Sequence, residues 1–415
     1  MGRVDADAQI LPPGCQNVQE RAGVLPAGDS RQHRAPRRRQ LLPRHECHYP
    51  VCQIAFHQPL DPCLSKQWRN AAHTGRRATP SLQYAAGRAC STAPAFAKAR
   101  GFGYTSPTPA REHRVRFRVA AAQIKPKKAD YRHNLARVGS LFAQIDAMDP
   151  RPDVLVLPET VFSGYFLQGG VREVARSRSD LFADLLDLYR QRTRTPGAAL
   201  DIAAGFYELA EGKYYNAGIY ATLALDGSGI EPGILHVHHK FFLPTYGVFD
   251  EKRFVSRGRS LDAFDTRFGR AALLICEDVW HSLTATVAAL EGAQVLYVLS
   301  ASPGREFEGA QPGNVARWGR LLPGMAEEHG VFVVYAGLVG FEGGKGFTGS
   351  SQVVDPWGRP LAVGPILDEC LVEALIDLDD VAAARAVSPL LADLEANLPD
   401  LVLELEAIAR KPHRA

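Results

Sequence analysis

Three residues able to do chemistry occupy equivalent places in this sequence, each at the carboxyl end of an apolar run. Glu159 follows Val154-Leu-Val-Leu-Pro158, Lys240 follows Ile234-Leu-His-Val-His-His239, and Cys276 follows Leu273-Leu-Ile275. A thiol is mostly protonated near neutral pH, so as a nucleophile it needs a base to take its proton and a cation beside the sulfur. Glu159 is the candidate base. Lys240 is the candidate cation and oxyanion donor, assisted by the backbone N–H of Glu277; losing one such donor typically costs ~10²–10³ in rate. The carboxylate must reach both sulfur and leaving nitrogen, because the proton taken from the thiol is handed to departing ammonia or amine, and water then attacks the thioester with Glu159 again as base. Separately each residue has a duller explanation: a helix cap for Glu159, a surface charge with a buried stem for Lys240, core packing for Cys276. Together they form the set that a thiol-dependent acyl transfer requires.

Such a set must be held by strands, and the sequence supplies them from Val115 onward. Val115 to Ile124 reads as a first strand, and 130–148 has helical spacing, with Leu135, Val138, Leu141, Phe142 and Ile145 on one face and Asp130 as its cap. Residues 152–158 read as a short buried strand, 171–194 as one long helix, and 200–209 and 214–225 as strands joined by the hairpin signal Glu211-Gly-Lys. Further strands are expected at 233–242, 271–275, 294–299, 331–339, 348–354 and 371–378, with helices at 283–291, 314–329 and 389–409. Ala271 to Ile275 is apolar without alternation, as in a strand covered on both faces. So many strands mixed with about five helices predict one α/β domain with more than one sheet. No internal repeat is visible.

Composition divides the 415 residues in two. Residues 1–114 carry 17 Lys+Arg against 7 Asp+Glu, whereas 115–415 carry 31 against 38. The first segment lacks either periodicity, so it is expected to be a low-order basic segment. His45, Cys47, His48, Cys52, His57 and Cys63 could be read as a zinc cluster, but their spacings fit no common module. Arg34 to Arg39 could be read as a nucleic-acid patch, although a short basic run in such a tail is usually solvated charge. The texture also fits translation upstream of a true start near Val115, which the intact mass of the native protein would test. Only Cys276 and Cys370 occur in the second segment, as expected of a reduced, cytoplasmic compartment rather than a disulfide scaffold. No apolar run approaches the ~20 residues that a membrane span needs.

The three residues and their surroundings resemble the nitrilase superfamily of carbon–nitrogen hydrolases over 115–410. The motifs are Val119-Ala-Ala-Ala-Gln-Ile, Leu157-Pro-Glu159-Thr near Gly164-Tyr165, His239-Lys240-Phe-Phe-Leu-Pro244, Leu274-Ile-Cys276-Glu-Asp, Gly349-Ser-Ser and Asp355-Pro-Trp-Gly. The resemblance implies a four-layer α-β-β-α sandwich, a Glu-Lys-Cys triad at Glu159, Lys240 and Cys276, no metal or organic cofactor, and a homodimer or larger homo-oligomer. Within the superfamily, Lys240-Phe-Phe-Leu-Pro-Thr-Tyr246-Gly-Val-Phe-Asp-Glu251-Lys-Arg253 with Cys276-Glu-Asp-Val-Trp looks most like the glutaminase domain of glutamine-dependent NAD synthetases. This makes Tyr246 and Glu251 candidates for substrate contact and for a second, positioning carboxylate; Glu277 and Trp280 are further pocket candidates. Glu251 could instead be half of a surface pair with Lys252 or Arg253. No ATP-pyrophosphatase domain follows the body, so the chain is not expected to make NAD by itself.

The expected function is hydrolysis of a small carboxamide through a thioester, with no nucleic-acid or membrane partner. Acidic residues near the site, Glu251, Glu277 and Asp278, would suit a substrate carrying an amino group. An ammonia-supplying subunit of a separate synthetase, a nitrilase or a carbamoyl hydrolase are the enzymatic alternatives. A binding protein with a vestigial triad is a further one, against which the presence of all three residues argues.

Overall fold

The computed structural model describes residues 114–307 and 311–411. The zinc-cluster and basic-run readings of the first segment lie outside the described residues. In chain order the elements are β1 (Arg116–Gln123), α1 (Tyr131–Asp146), β2 (Val154–Val156), α2 (Val171–Val174), α3 (Arg178–Arg192), β3 (Ala199–Ala210), β4 (Lys213–Ala224), β5 (Gly233–His239), β6 (Ala263–Asp265), β7 (Arg270–Ile275) and α4 (Ser282–Leu290). There follow β8 (Val295–Ser300), α5 (Gly313–His329), β9 (Phe332–Gly337), β10 (Val339–Glu342), β11 (Lys345–Thr348), β12 (Gln352–Val354), β13 (Pro360–Val363), β14 (Cys370–Asp377), α6 (Asp379–Val387) and α7 (Leu390–Ala409).

Two six-stranded sheets result, ordered β14-β1-β2-β3-β4-β5 and β13-β12-β9-β8-β7-β6, with β10 and β11 forming a separate hairpin. Each sheet has a parallel triplet at its centre, β1-β2-β3 in one and β7-β8-β9 in the other, flanked by antiparallel strands. Strand side chains alternate between faces, and that alternation divides the core into layers. Val119, Ala121, Val154, Val156, Ala203 and Tyr220 meet Leu273, Tyr297, Leu299 and Val334 between the sheets. Their sequence neighbours Ala120, Ala122, Leu155, Leu157, Ile202 and Ala204 turn the other way, toward Val138, Phe142, Leu185 and Tyr189 of α1 and α3. Leu274, Val298, Val333 and Tyr335 face Trp318, Leu322 and Ala326 of α5 on the far side. The order is therefore helix, sheet, sheet, helix, the expected four-layer sandwich.

Several local expectations change. The helix read over 171–194 is broken: α2 stops at Val174, and Arg176 extends to pair with β3, its N–H bonding the Tyr207 carbonyl at 3.0 Å. Ser177 then caps α3, accepting from the Asp180 N–H at 3.1 Å. An apolar stripe passing across the break hid it, because a two-residue excursion hardly disturbs a 3.6-residue period. Of the strand read over 348–354 only 352–354 forms one, β12; Thr348 is the last residue of β11, and Gly349 and Ser350 between them both have positive φ. The hairpin signal before β4 holds, with Glu211 and Gly212 at φ 49° and 72°, the left-handed pair of a tight hairpin turn. Short β6, β13 and α6 and the β10–β11 hairpin have no counterpart in the sequence reading.

Candidate active site

β2, β5, β7 and β8 end at the same edge of the sandwich, and Glu159, Lys240, Cys276 and Ala301 follow them. This is the edge where α/β sheets place ligands, since side chains just beyond parallel strands escape the core while their backbone stays anchored in it. Glu159 and Lys240 are fully buried. The Lys240 ammonium donates to Glu159 Oε1 at 2.8 Å and to Glu251 Oε1 at 2.6 Å. Asn216 Nδ2 also donates to Glu159 Oε1 at 2.7 Å, and the Ala301 N–H donates to Oε2 at 2.7 Å. Both oxygens of the carboxylate are thus held, one from β4 and β5, the other from the end of β8 in the opposite sheet.

Local backbone makes this approach available. Gly205 on β3 lies so close behind Glu159 that a Cβ there would sit 2.5 Å from the Glu159 Cα, so only glycine fits. Thr160 and Cys276 adopt φ of 49° and 44°, left-handed values that cost roughly 1–3 kcal/mol each away from glycine and tend to gather at functional sites. The chain turns sharply at Cys276 into a 3-10 segment, Cys276–Trp280.

Asp278 ties this turn to the turn bearing Lys240. Its buried carboxylate accepts from the Ile275 N–H at 3.0 Å, the Phe241 and Phe242 N–H groups at 3.0 and 2.9 Å, and His238 Nε2 at 2.9 Å. Four partners satisfy the carboxylate, as full burial requires. The sequence reading had grouped Asp278 with residues that suit a substrate amine; all of its acceptor capacity faces the protein instead.

Electrostatics distinguish the titratable groups. Burial pushes the Cys276 thiol well above its usual value and the Glu159 charge adds to this, while Lys240 and the Ser300 hydroxyl oppose it. Cys276 therefore rests as a thiol. Burial pulls the Lys240 ammonium down, but Glu159, Glu251 and Cys276 together outweigh it and hold Lys240 firmly charged. Two carboxylates share that one cation. The second, Glu251, is raised to about 7, first by burial and also by Glu159, with Lys240 pulling the other way. Tyr165 donates its hydroxyl to Glu251, and burial followed by the Glu251 charge holds that phenol well above its ordinary range.

Glu251 is therefore no half of a surface pair with Lys252 or Arg253. Tyr246 and Glu277 pair with each other, the Tyr246 hydroxyl donating to the two carboxylate oxygens of Glu277 at 3.0 and 2.9 Å. Trp280 packs edge-on against Trp318 with ring centroids 5.3 Å apart. The Arg305 guanidinium lies 5.6 Å from the Trp280 ring and 5.4 Å from that of Phe249. A cavity of about 650 Å³ reaches Tyr165, Phe249 and Glu251 but not Cys276. Sequence reasoning assigned no role to Asn216, Tyr165, Ala301 or Arg305. Asn216 had a signal, being the one amide in β4, a strand otherwise mostly apolar; the Ala301 N–H had none. Among the described residues no group of three or more His, Cys, Asp or Glu could hold a metal, and no described helix is long and apolar enough to cross a membrane.

The four-layer α-β-β-α fold, with its charged groups gathered at one edge, defines a class that comparison with known proteins identifies. The family model "Carbon-nitrogen hydrolase" matches residues 118–386, and the chain belongs to that family, within the nitrilase superfamily. It is 31% identical over 276 residues to a glutamine-dependent NAD(+) synthetase of Thermotoga maritima; the match takes in 66% of this chain but 44% of that protein, so the chain spans less than half of that relative's length. A carbon-nitrogen hydrolase of Helicobacter pylori superposes with TM-score 0.60 at 23% identity, covering 69% of this chain and 98% of the other. The amidase of Nesterenkonia sp. AN1 superposes with TM-score 0.54 at 25% identity, covering 68% and 96%; a variant of that enzyme carries the acetamide moiety of fluoroacetamide added covalently at its active site cysteine.

Proposed function

We propose that this protein hydrolyses the amide of a small carboxamide through a thioester on Cys276, releasing ammonia. The observation carrying the reading is the Glu159 carboxylate, buried and fixed through both oxygens by Lys240, Asn216 and the Ala301 N–H, in the field that acts on the Cys276 thiol. As the sulfur attacks the carbonyl carbon, Glu159 takes the thiol proton, and the resulting oxyanion is met by the Lys240 ammonium and the Glu277 N–H. Collapse breaks the C–N bond as Glu159 passes its proton to nitrogen, and ammonia leaves. Water then gives a proton to Glu159 and attacks the thioester; collapse frees the acid and returns the proton to sulfur. Glu251 positions Lys240 and tunes its charge. The mechanism needs no metal or organic cofactor.

Arg305 and Glu277, both acting on Tyr246 and the second directly following Cys276, supply a cation and an anion, a pairing that suits the carboxylate and ammonium of an amino acid bearing an ω-amide. The NAD synthetase relative, named as glutamine-dependent, points the same way and supports a second reading, an ammonia source for a separate synthetase. A homodimer or larger homo-oligomer in a reduced cytoplasmic compartment completes the proposal.

Ammonia release from a panel of amides, nitriles and N-carbamoyl amines tests it. The amides should react, and Cys276→Ala should lower the rate by about 10⁴-fold or more. Equal release with and without that substitution would overturn the mechanism, and activation by an added synthetase would select the second reading.

A further inference from the structure

A second cleft of about 710 Å³ is lined by Tyr246 and Glu277 and has Phe241 and Phe242 in its wall. Four cations line it: Lys213, Lys252, Arg257 and Arg259. Among the described residues none of the four is in an ion pair. This sets the cleft apart within a body that as a whole holds 38 acidic residues against 31 basic and pairs many of its arginines, as in Arg178–Glu208 at 2.6 Å, Arg137–Glu369 at 2.7 Å and Arg267–Asp201 at 2.9 Å. The cleft's single carboxylate, Glu277, already accepts from Tyr246. Unopposed like charges on one concave wall repel each other, and the arrangement is relieved when an anion enters.

The cations also stand on a fixed frame. The segment carrying Arg257 and Arg259 lies against β4 and the end of β5, with the Ser256 N–H bonding the Tyr214 carbonyl at 2.8 Å and the Gly258 N–H bonding the Lys240 carbonyl at 2.8 Å. Between the two arginines, a Cβ on Gly258 would come within 2.0 Å of the His239 carbonyl oxygen, so the glycine permits this close seating. The Arg257 guanidinium lies 5.5 Å from the Phe241 ring. Arginine presents a planar fork that matches the oxygens of a carboxylate or phosphate, and the flanking lysines add point charge. Because Gly258 bonds the carbonyl of Lys240 itself, this frame is continuous with the candidate active site.

We propose that the cleft binds an organic anion, bearing carboxylate or phosphate, next to the amide site. The anion is either the distal group of the substrate or a separate small molecule; the first source rests on the amide-hydrolysis reading, and binding itself does not.

Inorganic pyrophosphate titrated calorimetrically into the full chain at constant ionic strength provides the test. Saturable binding is expected, weakened about tenfold or more by the double substitution Lys213→Glu, Arg259→Glu. A control with the same change in net charge elsewhere, Arg132→Glu with Arg320→Glu, should bind as the unaltered protein does, and the melting temperature of each variant reports that it is folded. Absence of saturable binding, or an equal loss in the control, would overturn the proposal. Steady-state ammonia release then separates the sources. For a substrate tail, pyrophosphate competes with a carboxylate-bearing amide, and the cleft variant loses kcat/KM on that amide far more than on its uncharged counterpart. For a separate ligand, pyrophosphate binds without competing. If no amide is hydrolysed while pyrophosphate still binds, the amide reading fails and the anion site stands.

Discussion

Glu251 shows how a single side chain can be misjudged by its neighbours in sequence. Between Asp250 and Lys252 it has the look of an exposed charge, yet it is buried against Lys240 and Tyr165, where desolvation raises its carboxyl from 4.5 to about 7. The folded state therefore holds the Glu251 proton more tightly than the unfolded chain does. The stabilisation this gives is fully present below about 4.5 and is lost as pH rises through about 7. Melting temperature measured against pH for the unaltered protein and for Glu251→Gln should show the difference: across that window the unaltered protein loses stability relative to the variant, which has no carboxyl to ionise. Parallel curves would mean that Glu251 is not the group that titrates.

At the scale of elements, the decisive contacts join strand ends rather than strand faces. Asp278 bonds backbone amides on both the turn after β5 and the end of β7, so it sets where Lys240 stands relative to Cys276. Replacing it with alanine leaves buried N–H groups without acceptors, at about 1–3 kcal/mol for each. Asp278→Ala should lower the denaturation midpoint accordingly and, in whatever folds, slow the alkylation of Cys276 by iodoacetamide as Lys240 drifts from the sulfur. Unchanged alkylation in a folded variant would show that the two turns are held by other contacts. Gly205 makes the complementary point: Glu159 stands where it does because β3 has no side chain at the position behind it.

Across the whole molecule, stability and site depend on the same inter-sheet layer. Leu273, nearly inaccessible, reaches across to Gly218 of the opposing sheet, where a Cβ would meet its Cδ1 at 3.6 Å. Leu273→Ala should cost about 2–5 kcal/mol, as large-to-small changes in tight cores do. Since both sheets bury this layer, thermal unfolding followed by circular dichroism and by intrinsic fluorescence should shift together in one transition. Separate transitions would mean that the sheets unfold independently.

Local pattern determined much of this. Alternating and continuous apolar runs located most strands and long helices, because burial on one face or two leaves a period in the chain, and those runs put Glu159, Lys240 and Cys276 at comparable strand ends. What local pattern could not carry was long-range pairing. The two sheets share a plan, a parallel triplet flanked by antiparallel strands, that no sequence repeat announces, since topology depends on which strands pair and not on which residues they use. Asn216 and the Ala301 N–H reach Glu159 from 57 and 142 residues away, and the second of these is a backbone group with no residue type to betray it. The same holds for the cation-lined cleft, assembled from a hairpin and a pinned loop 44 residues later that only folding brings side by side.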